Sequence, residues 1–174
     1  NCVAIGLSGG FIEPLESTSI HLVQTALFNL LNWFPDRDFD PAVVDAYNRQ
    51  SQAEYEHCRD FVVLHYKATR RDEPIWRDCA AMEVPDTLAE RIELFRRAAR
   101  FMGKEGELFL DASWLSVLLG QGVTPQAYDP LADIRGIDDV RRIMAGQRAA
   151  VRQAVERMPT HVDFIRTHCA AGPM

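Results

Sequence analysis

Apolar residues recur at helical spacing along most of this chain, and prolines, glycines and short polar clusters punctuate them. The exception is the start. Asn1 to Leu7 reads as a short, fully buried strand, and Ser8-Gly9-Gly10 follows as a turn. The spacing then predicts a helix from about Thr18 to Phe34, stopped by Pro35. Asp40-Pro41 has the form of an N-cap with proline at the first helical position, opening a long helix through Val43, Tyr47, Tyr55, Phe61 and Tyr66. A short helical turn is expected at Ile75 to Cys79, and another helix from Pro85-Asp86 along Leu88, Ile92, Phe95 and Ala98. Leu108-Phe109-Leu110 is a short apolar run, Ser113 to Leu119 a brief apolar helix, and Ile137 to Met158 a final amphipathic one before His161 to Cys169. The class is mainly α, with one short N-terminal strand.

A parallel strand buried on both faces needs neighbours, and none is evident in these 174 residues. The chain therefore reads as the C-terminal piece of a longer protein. The expected boundary puts residues 1–20 at the end of a preceding domain and 21–174 in a helical one. Composition narrows the partners. A net charge of -6 without a basic run argues against nucleic acid. No segment has the roughly 20 apolar residues needed to cross a bilayer. Cys2, Cys58, Cys79 and Cys169 are widely spaced, which fits a reduced, cytoplasmic protein better than a disulfide framework.

The chemistry concentrates in Phe11-Ile12-Glu13-Pro14-Leu15-Glu16-Ser17-Thr18-Ser19-Ile20. Ser17, Thr18 and Ser19 stand at a helix start, with Glu16 beside them. Free backbone amides and the positive end of a helix dipole would there meet an ionisable carboxylate. Such a turn can hold an anion and present an acid or base to it. The plainer alternative is that Pro14 shapes a turn and Glu16 caps a helix.

This string, in its strand-turn-helix setting, resembles the Gly-Phe-x-Glu-Pro-Leu-Glu-Ser-Thr signature of flavin-dependent tryptophan-type halogenases. Asp60-Phe61-Val62-Val63-Leu64-His65-Tyr66 and Pro74-Ile75-Trp76 are similar to further segments of that family. The resemblance implies the helical C-terminal region of a FAD-dependent, monooxygenase-like α/β enzyme. Its flavin-binding domain and catalytic lysine lie upstream, and no G-x-G-x-x-G occurs in these residues. It implies reduced FAD supplied by a separate flavin reductase, a halide ion and a small aromatic substrate, and it leaves room for a homodimer. By the same resemblance Glu16 is the glutamate that assists halogenation, the Thr18 and Ser19 amides hold the halide, and Leu7 and Ile20 touch the flavin. Many members have glycine at the position of Ser19. Glu13, the other carboxylate, is expected in a structural salt bridge.

Members that bind free tryptophan grip it with a Tyr-Tyr pair and a glutamate upstream of Phe-Trp. Here Lys104 falls at the glutamate and Leu108-Phe109 at Phe-Trp, with no Tyr-Tyr between Ala98 and Phe109. A lysine would repel the substrate amine. A free indole or a larger aromatic compound fits better. His57, Cys58 and His65, and likewise His161, His168 and Cys169, lack zinc-ligand spacing and read as ordinary side chains. Trp33 and Trp76 are expected in the core, and Trp114 either there or at an indole pocket. Two further classes remain at this point: an aromatic monooxygenase and a helical interaction module.

Overall fold

The computed structural model describes residues 2–103 and 106–169. Among them are seven α-helices and no strand: α1 (Ser19–Asn32), α2 (Pro41–Lys67), α3 (Pro74–Ala81), α4 (Asp86–Ala98), α5 (Asp111–Gly120), α6 (Ile137–Arg157) and α7 (His161–His168). The expected N-terminal strand is therefore corrected. Ile5 is extended (φ -132°, ψ 145°), but no segment pairs with it. Gly6, at φ 70°, then turns the chain into the single 3-10 turn Gly6–Ser8. The Ser8 hydroxyl donates to Ile5 O at 2.9 Å and closes that bend. A strand is defined by its partner, and an apolar run alone does not supply one.

The chain divides into two compact units, Asn1–Asp129 and Pro130–Met174. Residues 1–20 thus share a unit with α1 to α5. In that unit α2 is the hub, and α1, α3, α4 and α5 pack against it. Its start follows the sequence: Asp40 Oδ1 accepts the Ala42 amide at 2.8 Å, and Pro41 occupies the first helical position. No glycine or proline interrupts it before Lys67. The buried residues of α2, Cys58, Asp60, Phe61, Val62 and Leu64, all lie in its C-terminal half. There Phe61 and Leu64 join Leu88 and Phe95 of α4 and Trp114 and Leu118 of α5 in one core cluster. Cys58 is fully buried, and burial together with the charge of Glu54 pushes its thiol pKa up to about 12.

Trp114 belongs to this core: it is 2% exposed, and its Nε1 donates to Phe109 O at 3.1 Å. Phe109 stacks on Phe61 with ring centroids 3.9 Å apart. The other two tryptophans depart from expectation. Trp33 is 39% exposed beside a cavity, and Trp76 is half-buried, stacked on Tyr66 and covered by the Arg71 guanidinium.

Helix α1 is apolar on two sides. Leu22, Ala26 and Asn29 are buried, whereas Ile20, Leu27, Phe28 and Leu31 are exposed. Between α1, the first half of α2 and residues 2–5 lies a cavity of about 1130 Å³, lined among others by Ile5, Trp33, Phe39, Tyr47 and Tyr55. The second unit holds a short 3-10 turn, Pro130–Ile134, followed by the amphipathic α6 and by α7. The Thr160 hydroxyl accepts the Asp163 amide at 3.2 Å, capping α7.

Candidate functional site

Pro14–Glu16 forms a single 3-10 turn with proline at its first position, and Glu13 before it is held extended (φ -51°, ψ 132°). Ser17 follows in the left-handed region (φ 55°, ψ 33°), a conformation costly to a residue with a Cβ. That strain reverses the chain so that α1 begins at Ser19. The positive φ falls on Ser17, so the serine at position 19 requires no glycine there.

Helix α1 starts uncapped. Thr18 is the N-cap residue, but its side chain accepts no capping hydrogen bond among the described residues. The first helical hydrogen bond is Leu22 N to Thr18 O at 2.9 Å, leaving the amides before it without helical acceptors. Neither the Thr18 nor the Ser19 amide donates to a backbone carbonyl among the described residues. Thr18 is 1% exposed, and its Oγ1 has no hydrogen-bond partner among the described residues. A buried hydroxyl and amides without helical acceptors at the start of a helix are groups that can serve an anion. The reading of Glu16 as a plain cap has no bond behind it.

Both carboxylates of the turn meet the last turn of α2. Glu16 Oε1 lies 2.9 Å from His65 Nε2, with the glutamate side chain 35% exposed and the histidine 17%. Glu13 accepts a hydrogen bond from the Tyr66 hydroxyl, which replaces the expected salt bridge. That bond, with burial and the Glu13 charge, raises the Tyr66 phenol above its ordinary value. Any stability from the pair is therefore present below the unfolded-state value of about 10 and lost as pH rises through the folded-state value. Phenolate absorbance titrations of wild type minus Tyr66→Phe are expected to give a curve centred above that value, and Glu13→Gln to bring it back. A difference curve already at the ordinary value contradicts the pairing.

Leu7 and Ile20 are 80% and 73% exposed, an apolar lip on either side of the Gly9-Gly10 turn in sequence. A Cβ on Gly9 would stand 2.8 Å from Ala4 O, so the turn requires glycine there. The structure thus brings Glu16, Thr18 and Ser19 into one turn, with Leu7 and Ile20 open to a partner. The large cavity lies elsewhere: Glu16, Thr18 and Ser19 are not on its wall. No group of three potential metal ligands gathers among the described residues. His57 instead lies 3.5 Å from Glu107. Lys104, read as the repulsive residue near a substrate amine, lies outside the described residues.

The tryptophan halogenase family model matches residues 1–136, which include the Glu-Pro-Leu-Glu turn and the His65-Tyr66 segment it meets. This chain belongs to the tryptophan halogenase family. Tryptophan 7-halogenase RebH of Lentzea aerocolonigenes is 31% identical over 95% of this chain and 35% of its own length. Among solved structures, the flavin-dependent halogenase Xcc4156 of Xanthomonas campestris superposes with a TM-score of 0.91 at 46% identity, covering 100% of this chain and 35% of its own. BrvH, a flavin-dependent halogenase from Brevundimonas sp. BAL3, gives 0.89 at 43% identity, covering 96% of this chain and 34% of its own. The chain spans about a third of the length of the halogenases it matches. The matched region is helical in this chain, as expected for the C-terminal part of the family fold.

Sequence reasoning passed over His65. Its only signal was its place in Asp60-Phe61-Val62-Val63-Leu64-His65-Tyr66, where it read as an ordinary histidine.

Proposed function

We propose that this chain is the C-terminal, substrate-side part of a flavin-dependent halogenase that places chlorine or bromine on an electron-rich, indole-type aromatic ring. The observation that carries the reading is the turn from Glu13 to Ser19. It sets an exposed carboxylate next to an uncapped helix start with an unpartnered buried hydroxyl, within the segment matched by the family.

In this reading the Thr18 and Ser19 amides bind the halide, and the orphaned Thr18 hydroxyl fits the same anion. Leu7 and Ile20 supply apolar contact to the isoalloxazine ring, and the cramped Gly9 turn permits its close approach. Reduced FAD, when bound, supplies with oxygen and halide the electrophilic halogen. Glu16 stabilises the cationic ring formed on its addition and takes the ring proton that the halogen displaces. A flavin-binding portion, with the catalytic lysine, covers the exposed apolar side of α1. A patch containing Ile20, Leu27, Phe28 and Leu31 is larger than solitary surface apolar residues require. A flavin reductase delivers the reduced cofactor.

Identity to Xcc4156 and BrvH, described only as flavin-dependent halogenases, exceeds that to tryptophan 7-halogenase RebH. This and the missing Tyr-Tyr pair favour indole or a larger aromatic over free tryptophan. The test is the complete enzyme with reduced FAD and oxygen, given indole and tryptophan in parallel, with and without chloride. A chlorinated indole formed only with chloride is expected. An oxygenated product formed regardless of halide would identify a monooxygenase instead, and no turnover of any aromatic would favour an interaction module.

A further inference from the structure

We infer that His65 is a positioning residue for Glu16, holding one oxygen of that carboxylate in place. The inference rests on the halogenase reading of Glu16 and extends it to α2.

The ring of His65 is fixed from three directions. Its Nδ1 lies 2.8 Å from Phe61 O, and a carbonyl only accepts, so Nδ1 carries a hydrogen. The ring packs perpendicular to that of Phe61, with centroids 5.0 Å apart and planes at 88°. Phe61 itself is 2% exposed and belongs to the core cluster, so the histidine is packed against the core. The remaining nitrogen, Nε2, lies 2.9 Å from Glu16 Oε1. With Nδ1 engaged by the Phe61 carbonyl, Nε2 is the ring atom left to face the carboxylate, and it stands at ion-pair distance from Oε1.

Glu16 needs this support. It stands on a one-turn 3-10 segment that ends in the strained Ser17, where local hydrogen bonding is sparse. Its neighbour Glu13 is tied to Tyr66, the residue after His65. Two consecutive side chains at the end of α2 thus secure both carboxylates of the turn. Glu16 Oε2 takes no partner among the described residues, which leaves it for the substrate.

The test uses the complete enzyme with four variants: His65→Phe, His65→Gln, Glu16→Gln and the double variant His65→Phe/Glu16→Gln. His65→Phe is expected to lower kcat roughly 100-fold, the scale of a displaced reacting group, while KM for the aromatic stays near wild type. Gln retains a donor toward Glu16, so His65→Gln is expected to recover most of the lost rate. The double variant should turn over no more slowly than Glu16→Gln alone, because His65 acts only through that carboxylate. A wild-type kcat in His65→Phe, or no recovery with Gln, overturns the inference. So do losses that multiply in the double variant, which would mark a separate structural effect. Full turnover in Glu16→Gln removes the halogenase reading of Glu16 and the role of His65 with it. Should His65→Phe fail to fold, His65→Leu takes its place in every comparison, with the same expected loss of kcat, the same recovery with Gln and the same results overturning the inference.

Discussion

Glu16→Gln is expected to lower halogenation by the complete enzyme roughly 100- to 1000-fold, the scale of a lost general base or charge stabiliser. Glutamine keeps the size of the side chain and leaves an oxygen for His65, so the turn retains its shape. In the proposed reaction, what the substitution would remove is the negative charge opposite the cationic ring and the acceptor for its proton. Stability should stay within about 0.5 kcal/mol, because Glu16 caps no helix and is partly exposed. The two measurements together separate chemistry from structure. Unchanged turnover would leave the carboxylate without a catalytic role, and a loss of activity that tracks a fall in melting temperature would make it structural.

The largest effect on stability is expected at Glu107. Its side chain is 4% exposed and pairs with Arg91, itself 12% exposed, with Nη1 donating to Oε2 at 3.0 Å. The Arg91 guanidinium lies 4.6 Å over the Trp114 ring, and His57 Nε2 is 3.5 Å from Glu107 Oε1. Glu107 thus ties the segment between α4 and α5 to α2, α4 and the core aromatic. Glu107→Ala strands a nearly buried guanidinium and should cost about 3–5 kcal/mol. Replacing both partners, as in Arg91→Met/Glu107→Leu, should recover much of that, since an apolar pair leaves no unpaired charge. Urea unfolding at unchanged m-value measures both. A loss below about 1 kcal/mol in Glu107→Ala would show that the pair is effectively solvated.

The helices were legible because their signals are local. Asp40-Pro41 opens α2 as a cap and a first-position proline, and Pro85 stands at the N-cap of α4. The strand failed for the opposite reason. Asn1 to Leu7 has the apolar content of a buried strand, but strand pairing is a long-range property, and Gly6 bends the run before any pairing. Trp33 and Trp76 failed similarly, since an apolar side chain at helical spacing does not reveal which flank receives a neighbour. That Glu16, Thr18 and Ser19 share one turn was legible because they are neighbours in sequence. The partners of its carboxylates were not. His65 and Tyr66 reach the turn only after α1 and α2 pack together, and nothing local in either segment announces the meeting.

The central claim is that the turn entering α1 is the halide side of a halogenase active site. Its most direct measurement is an anomalous difference map from crystals of the complete enzyme soaked in bromide. A bromide peak is expected within hydrogen-bonding distance of the Thr18 and Ser19 amide nitrogens, near the Thr18 hydroxyl. Well-occupied bromide elsewhere, with none at that turn, would contradict it.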